Sequence, residues 1–151
     1  MKIVFAASSG GHFEQLMMLK PLMEKYDSFV LTEKTDYQVG KLDTEVYYLK
    51  QINRKEPLFL LKALANTVIS LRIFFKESPD VMITTGVLAI VPFALIMKLF
   101  GRKLIYIESF AKVTTKTMSG TLLYRFADQF YVQWEEMLQL YPNAIFKGGI
   151  Y

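Results

Sequence analysis

Lys2-Ile3-Val4-Phe5-Ala6-Ala7-Ser8-Ser9-Gly10-Gly11-His12 is the stretch on which the fold is read. Residues 2–7 make a compact apolar run of strand length, and Ser8 to Gly11 supply a turn. From His12 to about Lys25 the residues Phe13, Leu16, Met17, Leu19, Leu22 and Met23 recur on one side at helical spacing. A buried strand, a glycine turn and a helix form the opening unit of a parallel α/β sheet.

The alternation continues along the chain. Strands are expected over residues 28–32, 45–49, 80–84, 103–107 and 128–132. Pro57 suits the first position of a long helix reaching about Lys76, where Leu60, Leu61, Leu64, Val68, Leu71 and Phe75 recur, and Ser78-Pro79 stops it. Further helices are expected from about Pro92 to Gly101, over residues 119–126 and over residues 135–141. Strands separated by helices require right-handed crossovers, so the fold class is α/β, a Rossmann-like parallel sheet with helices on both faces. At 151 residues and 52% hydrophobic, with no linker, repeat or low-complexity tract, residues 1–151 read as a single domain.

Composition narrows the chemistry. The chain has no cysteine and one histidine, which excludes a disulfide framework and a thiolate nucleophile and leaves no conventional metal site; no cofactor is expected. The amino terminus lacks the long apolar stretch of a signal peptide. The longest apolar run, residues 87–97, falls well short of the ~20 residues a spanning helix needs and reads as a buried helix. Twelve of the 18 bases sit in two blocks: Lys50, Arg54, Lys55, Lys62, Arg72 and Lys76, then Lys98, Arg102, Lys103, Lys112, Lys116 and Arg125. Such blocks are solvated helix faces, or they attract anionic headgroups or a phosphorylated substrate. Nucleic acid is not expected, because no recognition motif accompanies the charge.

Ligands of such sheets bind at the carboxyl ends of the strands, which singles out three loops. The first is Ser9-Gly10-Gly11-His12, where paired glycines allow close backbone approach and the helix start attracts anions. His12 can accept a proton near neutral pH, which suits a general base acting on a sugar hydroxyl. The second is Thr85-Gly86. The third opens with Glu108-Ser109, where the glutamate could orient His12, bind an acceptor hydroxyl or cap the following helix. Lys112, Lys116, Ser119 and Gly120 follow and could hold phosphate oxygens. A dinucleotide site would need a third glycine near position 14 or 15, where Glu14 and Gln15 stand, although Glu33 could supply its ribose-binding acid.

Taken in order, Ser-Gly-Gly-His at 9–12, Thr-Thr-Gly at 84–86, Ile-Glu-Ser-Phe at 107–110, Ser-Gly-Thr-Leu-Leu-Tyr at 119–124, Ala127-Asp128, Val-Gln-Trp at 132–134, Tyr-Pro-Asn-Ala at 141–144 and Gly148-Gly149 resemble one family over essentially the whole chain. It is the acceptor-side subunit of the two-chain N-acetylglucosaminyltransferase of dolichol-linked oligosaccharide synthesis, with its bacterial capsule and exopolysaccharide relatives. More distantly, the chain resembles the amino-terminal half of MurG.

The resemblance implies the amino-terminal domain of a GT-B glycosyltransferase, split so that a separate chain carries the UDP-sugar site. It implies a lipid-diphosphate-linked sugar acceptor, an inverting transfer, and a peripheral place on the inner, cytoplasmic face of the plasma membrane. His12 then matches the candidate base and Glu108 the glutamate of the acceptor-side loop. The relatives in eukaryotes usually begin with a membrane-spanning helix that this sequence lacks, so attachment falls to the Pro57–Lys76 helix or to the region after Gly86. Trp134, Tyr141, Gly149 and Tyr151 are candidate anchors for the partner chain, aromatic residues being favoured in interface cores. Two other readings stay open: a non-catalytic enhancer of a catalytic chain, and a stand-alone nucleotide- or flavin-binding module.

Overall fold

The computed structural model describes residues 1–35, 42–53 and 55–151; Arg54 of the first basic block lies outside them. Seven strands pair in parallel: β1 (Lys2–Ala7), β2 (Asp27–Lys34), β3 (Glu45–Lys50), β4 (Val81–Gly86), β5 (Lys103–Ile107), β6 (Gln129–Val132) and β7 (Ile145–Phe146), in the order β3-β2-β1-β4-β5-β6-β7. The chain winds outward from β1 in one direction and from β4 in the other, so the order reverses between these two central strands. β1 has no polar face because it is covered on both sides: Val4 and Ala6 pack toward α3 (Phe59–Glu77) and α4 (Val91–Leu99), while Ile3, Phe5 and Ala7 pack toward α1 (Gly11–Met17) and α2 (Lys20–Lys25). The Rossmann-like sheet with helices on both faces is therefore present as expected.

Several elements differ from the sequence reading, among them α3, which starts at Phe59 and not at Pro57, and α4, which ends at Leu99. The first helix is two, because Pro21 cannot donate to the carbonyl of Met17 and its ring crowds that position; the break falls at Met18 and Leu19. The helix expected from residue 119 is α5 (Met118–Leu123), capped by Thr117, whose Oγ1 accepts from the amide of Gly120 at 2.9 Å. The last helix is a 3-10 segment, Glu135–Gln139. β7 was not anticipated, since two residues are too short to show any periodicity.

Of the polar residues on the buried side of α3, the Ser70 hydroxyl has no hydrogen-bond partner, whereas Asn66 and Glu77 do. Asn66 is fully buried and meets the backbone of Lys50 twice, its Oδ1 accepting from the amide at 2.9 Å and its Nδ2 donating to the carbonyl at 2.8 Å. Without that pair the last residue of edge strand β3 would bury unsatisfied groups. Glu77 accepts from Lys2 Nζ at 2.6 Å and from the Tyr47 hydroxyl at 2.5 Å, tying the end of α3 to β1 and β3. The Lys2 and Tyr47 hydrogen bonds hold its carboxyl below the usual range, and burial with the same contact pushes the Tyr47 phenol up to about 12.

Asp128 joins three elements. It accepts from the Leu104 amide at 2.8 Å, from Lys98 Nζ of α4 at 2.7 Å and from Lys103 Nζ at 3.3 Å. Burial opposes its charge, but these donors outweigh it and bring the carboxyl down to about 2. A depressed carboxyl stabilises the fold above its unfolded value near 4, and that contribution disappears as pH falls through about 2. In urea titrations Asp128→Asn should cost about 1 kcal/mol or more at pH 6, and the gap to the parent should close between pH 4 and pH 2; an equal gap at every pH would contradict this.

Candidate functional site

The reversal of strand order between β1 and β4 opens a crevice beyond their carboxyl ends, and the His12 loop and the Thr85-Gly86 loop form its walls. The pairing of β4 with β1 skips Thr85, since Ala6 aligns with Thr84 and Ala7 with Gly86. This irregularity turns Thr85 toward the first loop. His12 Nδ1 lies 2.9 Å from the carbonyl oxygen of Thr85, and the Thr85 hydroxyl donates back to the carbonyl of His12 at 2.9 Å. A carbonyl only accepts, so Nδ1 carries a proton, and the tautomer this selects has its lone pair on Nε2. The ring is half-buried, and the space beside Gly10 and Gly11 is open. Ser9, half-buried, flanks that space.

The β4 turn is tightly built. Gly86 has φ +100°, and a β-carbon there would stand 2.6 Å from the Tyr106 hydroxyl and 2.8 Å from Ser119 Oγ. Val87 follows at φ +136°, a costly conformation for a β-branched residue, of order 1–3 kcal/mol. Its amide donates to Ser119 Oγ at 3.2 Å. Strain of this kind persists only where neighbours over-determine the backbone, which is the case here.

Glu108 is 1% exposed and spends its carboxylate on its own chain. Oε1 accepts from the Ser109 amide at 2.8 Å; Oε2 accepts from the Tyr141 hydroxyl at 2.9 Å and the Thr117 amide at 3.3 Å; the Thr117 hydroxyl reaches both oxygens, at 2.8 and 3.0 Å. A carboxylate has about four lone-pair sites, so none is left for a ligand. Direction follows from this end of the network. The single Thr117 hydroxyl proton points to Glu108, so Tyr106 donates to Thr117 at 3.1 Å, and Ser119 donates to Tyr106 at 2.9 Å while accepting from Val87. Burial, then the Glu108 charge, pushes the phenols of both Tyr106 and Tyr141 upward, which keeps them donors.

Three expectations from sequence are corrected by this arrangement. Glu108 does not offer a free carboxylate to an acceptor; it holds Thr117, which caps α5. Ser119 and Gly120 are buried in the same network rather than presented to phosphate, and a β-carbon on Gly120 would lie 2.2 Å from Glu108 Oε2. Tyr141 is fully buried and cannot be a surface anchor. Thr85, Gly86 and Ser109 are buried as well, whereas Lys112, Lys116, Trp134, Gly149 and Tyr151 stay at the rim. Lys112 and Lys116 lie on the loop between β5 and α5, Lys116 with its ammonium 4.8 Å from the Tyr141 ring centroid. Trp134 and Tyr151 gather on Phe110, at ring distances of 4.8 and 5.0 Å; the Trp134 indole donates to the Phe110 carbonyl at 2.6 Å, and Gly149 packs against the same ring.

Sequence reasoning missed Thr117, Tyr106, Gln15 and Gln133. Gln133 Nε2 donates to the Glu108 carbonyl at 2.8 Å, and its Oε1 accepts from the Ile150 amide at 3.0 Å; Gln15 bridges Glu108 and Phe110 through longer contacts. A threonine three residues before Gly120 at a helix start was the one signal available. Glu33, weighed as a ribose-binding acid, is buried, and Phe13 and Gln15 fill the core where a third glycine would open a dinucleotide loop.

Comparison with known proteins decides the family. A family model described as "Oligosaccharide biosynthesis protein Alg14 like" matches residues 3–150. The chain belongs to the Alg14 family. Among curated relatives, the UDP-N-acetylglucosamine transferase subunit ALG14 of Yarrowia lipolytica is 27% identical over 173 residues, spanning 97% of this chain and 80% of the relative. The human subunit of that name is 25% identical over 179 residues, spanning 99% and 83%. Among solved structures, MurG of Acinetobacter baumannii superposes with a TM-score of 0.75 at 17% identity, covering 90% of this chain and 43% of MurG. The UDP-GlcNAc 2-epimerase of Methanocaldococcus jannaschii gives 0.70 at 12%, covering 92% and 41%. These likenesses show the fold, and this Alg14-family chain spans less than half the length of either enzyme.

A saturated Glu108 makes a thermodynamic prediction. Glu108→Gln puts an amide NH2 among donors, and Gly120→Ala forces the network apart. Each should lower stability by about 2–4 kcal/mol in urea titrations. A carboxylate free for substrate would instead leave Glu108→Gln close to the parent.

Proposed function

We propose that this chain is the acceptor-binding and membrane-recruiting subunit of a split, inverting glycosyltransferase. A separate chain brings the UDP-sugar, for which the relatives' names suggest UDP-N-acetylglucosamine. The acceptor is a sugar on a lipid diphosphate, and the product enters surface polysaccharide such as capsule or exopolysaccharide, on the cytoplasmic face of the plasma membrane. The observation that carries the reading is the His12 ring, oriented by the Thr85 carbonyl with Nε2 as its acceptor nitrogen at the strand-order reversal.

In this mechanism Nε2 takes the proton of the acceptor hydroxyl as that oxygen attacks the anomeric carbon. The bond from that carbon to the diphosphate oxygen breaks, UDP leaves with the electron pair, and the configuration inverts. Thr85 is a positioning residue: it fixes which nitrogen is free. Glu108 is a positioning residue too, acting through Thr117 and the loop that carries Lys112 and Lys116. Those two lysines and the amides at Gly10 and Gly11 neutralise the acceptor's phosphates. Trp134, Gly149 and Tyr151, clustered on Phe110, supply the partner-facing edge.

Radiolabel transfer from UDP-N-acetylglucosamine to a membrane lipid fraction tests the reading, using this chain alone, a candidate catalytic glycosyltransferase chain alone, and both co-expressed. Activity should need both chains. His12→Ala in the pair should lower kcat by about 10²–10⁴-fold with KM little changed. Full activity in that variant would end the catalytic role and leave the chain as a recruiter of its partner.

A further inference from the structure

The backbone of residues 108–110 lies between the helix that carries His12 and the carboxy-terminal segment, and side chains from both sides hold it. Gln15 stands one turn after His12 on α1; its Nε2 donates to the Glu108 carbonyl at 3.5 Å, and its Oε1 accepts from the Phe110 amide at 3.4 Å. From the other side Gln133, just beyond β6, donates to the same Glu108 carbonyl at 2.8 Å and accepts from the Ile150 amide at 3.0 Å. The Trp134 indole takes the Phe110 carbonyl, and Gly149 and Tyr151 rest on the Phe110 ring. One carbonyl thus receives both glutamines. Every step from His12 to Ile150 is a helical turn or a hydrogen bond.

Packing does not call for two amides here. Gln15 and Gln133 are 2% and 4% exposed, and a methionine would fill similar space with no polar group to satisfy. The two sides of the joint are also unequal. Gln133 bonds at ordinary lengths, whereas both Gln15 contacts lie about half an ångström beyond the usual ~2.9 Å. The connection to the carboxy-terminal segment is tight, and the connection to the His12 helix is slack. Hydrogen bonds at a reaction site are often long in the free protein and close only in the working complex.

We infer that Gln15 and Gln133 are positioning residues, which make the placement of the His12 ring depend on what occupies the carboxy-terminal rim. A second chain seated on Trp134, Gly149 and Tyr151 draws the 108–110 backbone and α1 together, closes the Gln15 contacts and sets His12 against the loop that carries Lys112 and Lys116. It shifts the joint only as far as it prefers the closed form. Without it the two walls of the crevice stay loosely joined. The identity of the rim's occupant and the role of His12 rest on the proposed function; the connection between Gln133 and the His12 helix does not.

His12 is the only histidine of the chain, so NMR of its ring nitrogens reads this site alone. Gln133→Met keeps the buried volume and removes the amide; in the full chain by itself it should move the His12 signals. Asn66→Leu, which removes a buried amide at the end of β3, should not. Adding a glycosyltransferase chain that co-purifies with the parent should shift the His12 signals of the parent and leave those of Gln133→Met in place. In sugar transfer at saturating second chain, Gln133→Met and Gln15→Met should each lower kcat by about tenfold or more, with KM for UDP-N-acetylglucosamine unchanged because that site is on the other chain. If Gln133→Met does not fold, Gln133→Asn, one methylene too short to span both partners, carries the same expectations. His12 signals that ignore Gln133→Met, or a parent-like kcat in it, overturn the inference. So does an equal loss of kcat in Asn66→Leu, which would assign the effect to lowered stability. Absent transfer by the parent pair, beside His12 signals that respond as expected, would strike the proposed reaction and not the coupling.

Discussion

A carboxylate with no water is the constraint around which the cleft end of this protein is organised. Moving Glu108 into the interior would be prohibitive unless donors replaced its hydration, and four from the chain do so. Meeting that requirement fixes the start of α5, places Tyr141 in the core and, through Thr117, Tyr106 and Ser119, reaches the strained amide of Val87. The loop after β5 and the turn after β4 are thereby held by one directed chain of hydrogen bonds. Partly satisfied networks of this kind are costly, and this one is satisfied at every member named, which is why it can hold a valine at a positive φ.

The same network separates two tasks that one end of the sheet performs. His12 sits on the other wall of the crevice, connected to β4 and not to the acid. It is oriented by a backbone carbonyl, which no side-chain titration can remove. Lys112 and Lys116 lie on the span between β5 and α5 whose two ends Glu108 ties together. Rigidity at the base of that span and exposure at its tip are what a loop that receives a charged ligand needs. Phe110 adds a mechanical link: it touches Trp134, Gly149 and Tyr151 from a position two residues beyond Glu108, so the carboxy-terminal rim and the loop after β5 share one aromatic ring.

Placement of polar residues in helices shows where pattern reading reaches its limit. The α3 periodicity was clear from sequence, yet its two apolar sides were not distinguishable. Leu61 and Leu64 point to solvent while Ile73 and Phe74 enter the core, and Asn66, the polar residue in the middle, faces inward to the end of β3. Helical spacing of the leucines alone did not say which side meets the sheet. Pro21 was visible in sequence as well, but the run of apolar residues on either side of it concealed the break it imposes.

What the sequence by itself determined is local. Strand and helix periods, the glycine turn before His12, and the absence of other histidines and of cysteine need only neighbours along the chain to be read, and they defined the parallel sheet and the loop that carries His12. Tertiary structure decided the roles. The carbonyl that orients His12 is 73 residues away, and the tyrosine that donates to Glu108 is 33 residues away. A carboxylate's character depends on what replaces its water, and those groups are brought to it only when β4, β5 and α5 have packed. The sequence left Glu108 to orient His12, bind an acceptor hydroxyl or cap the following helix, and burial among four donors ties it to the start of α5.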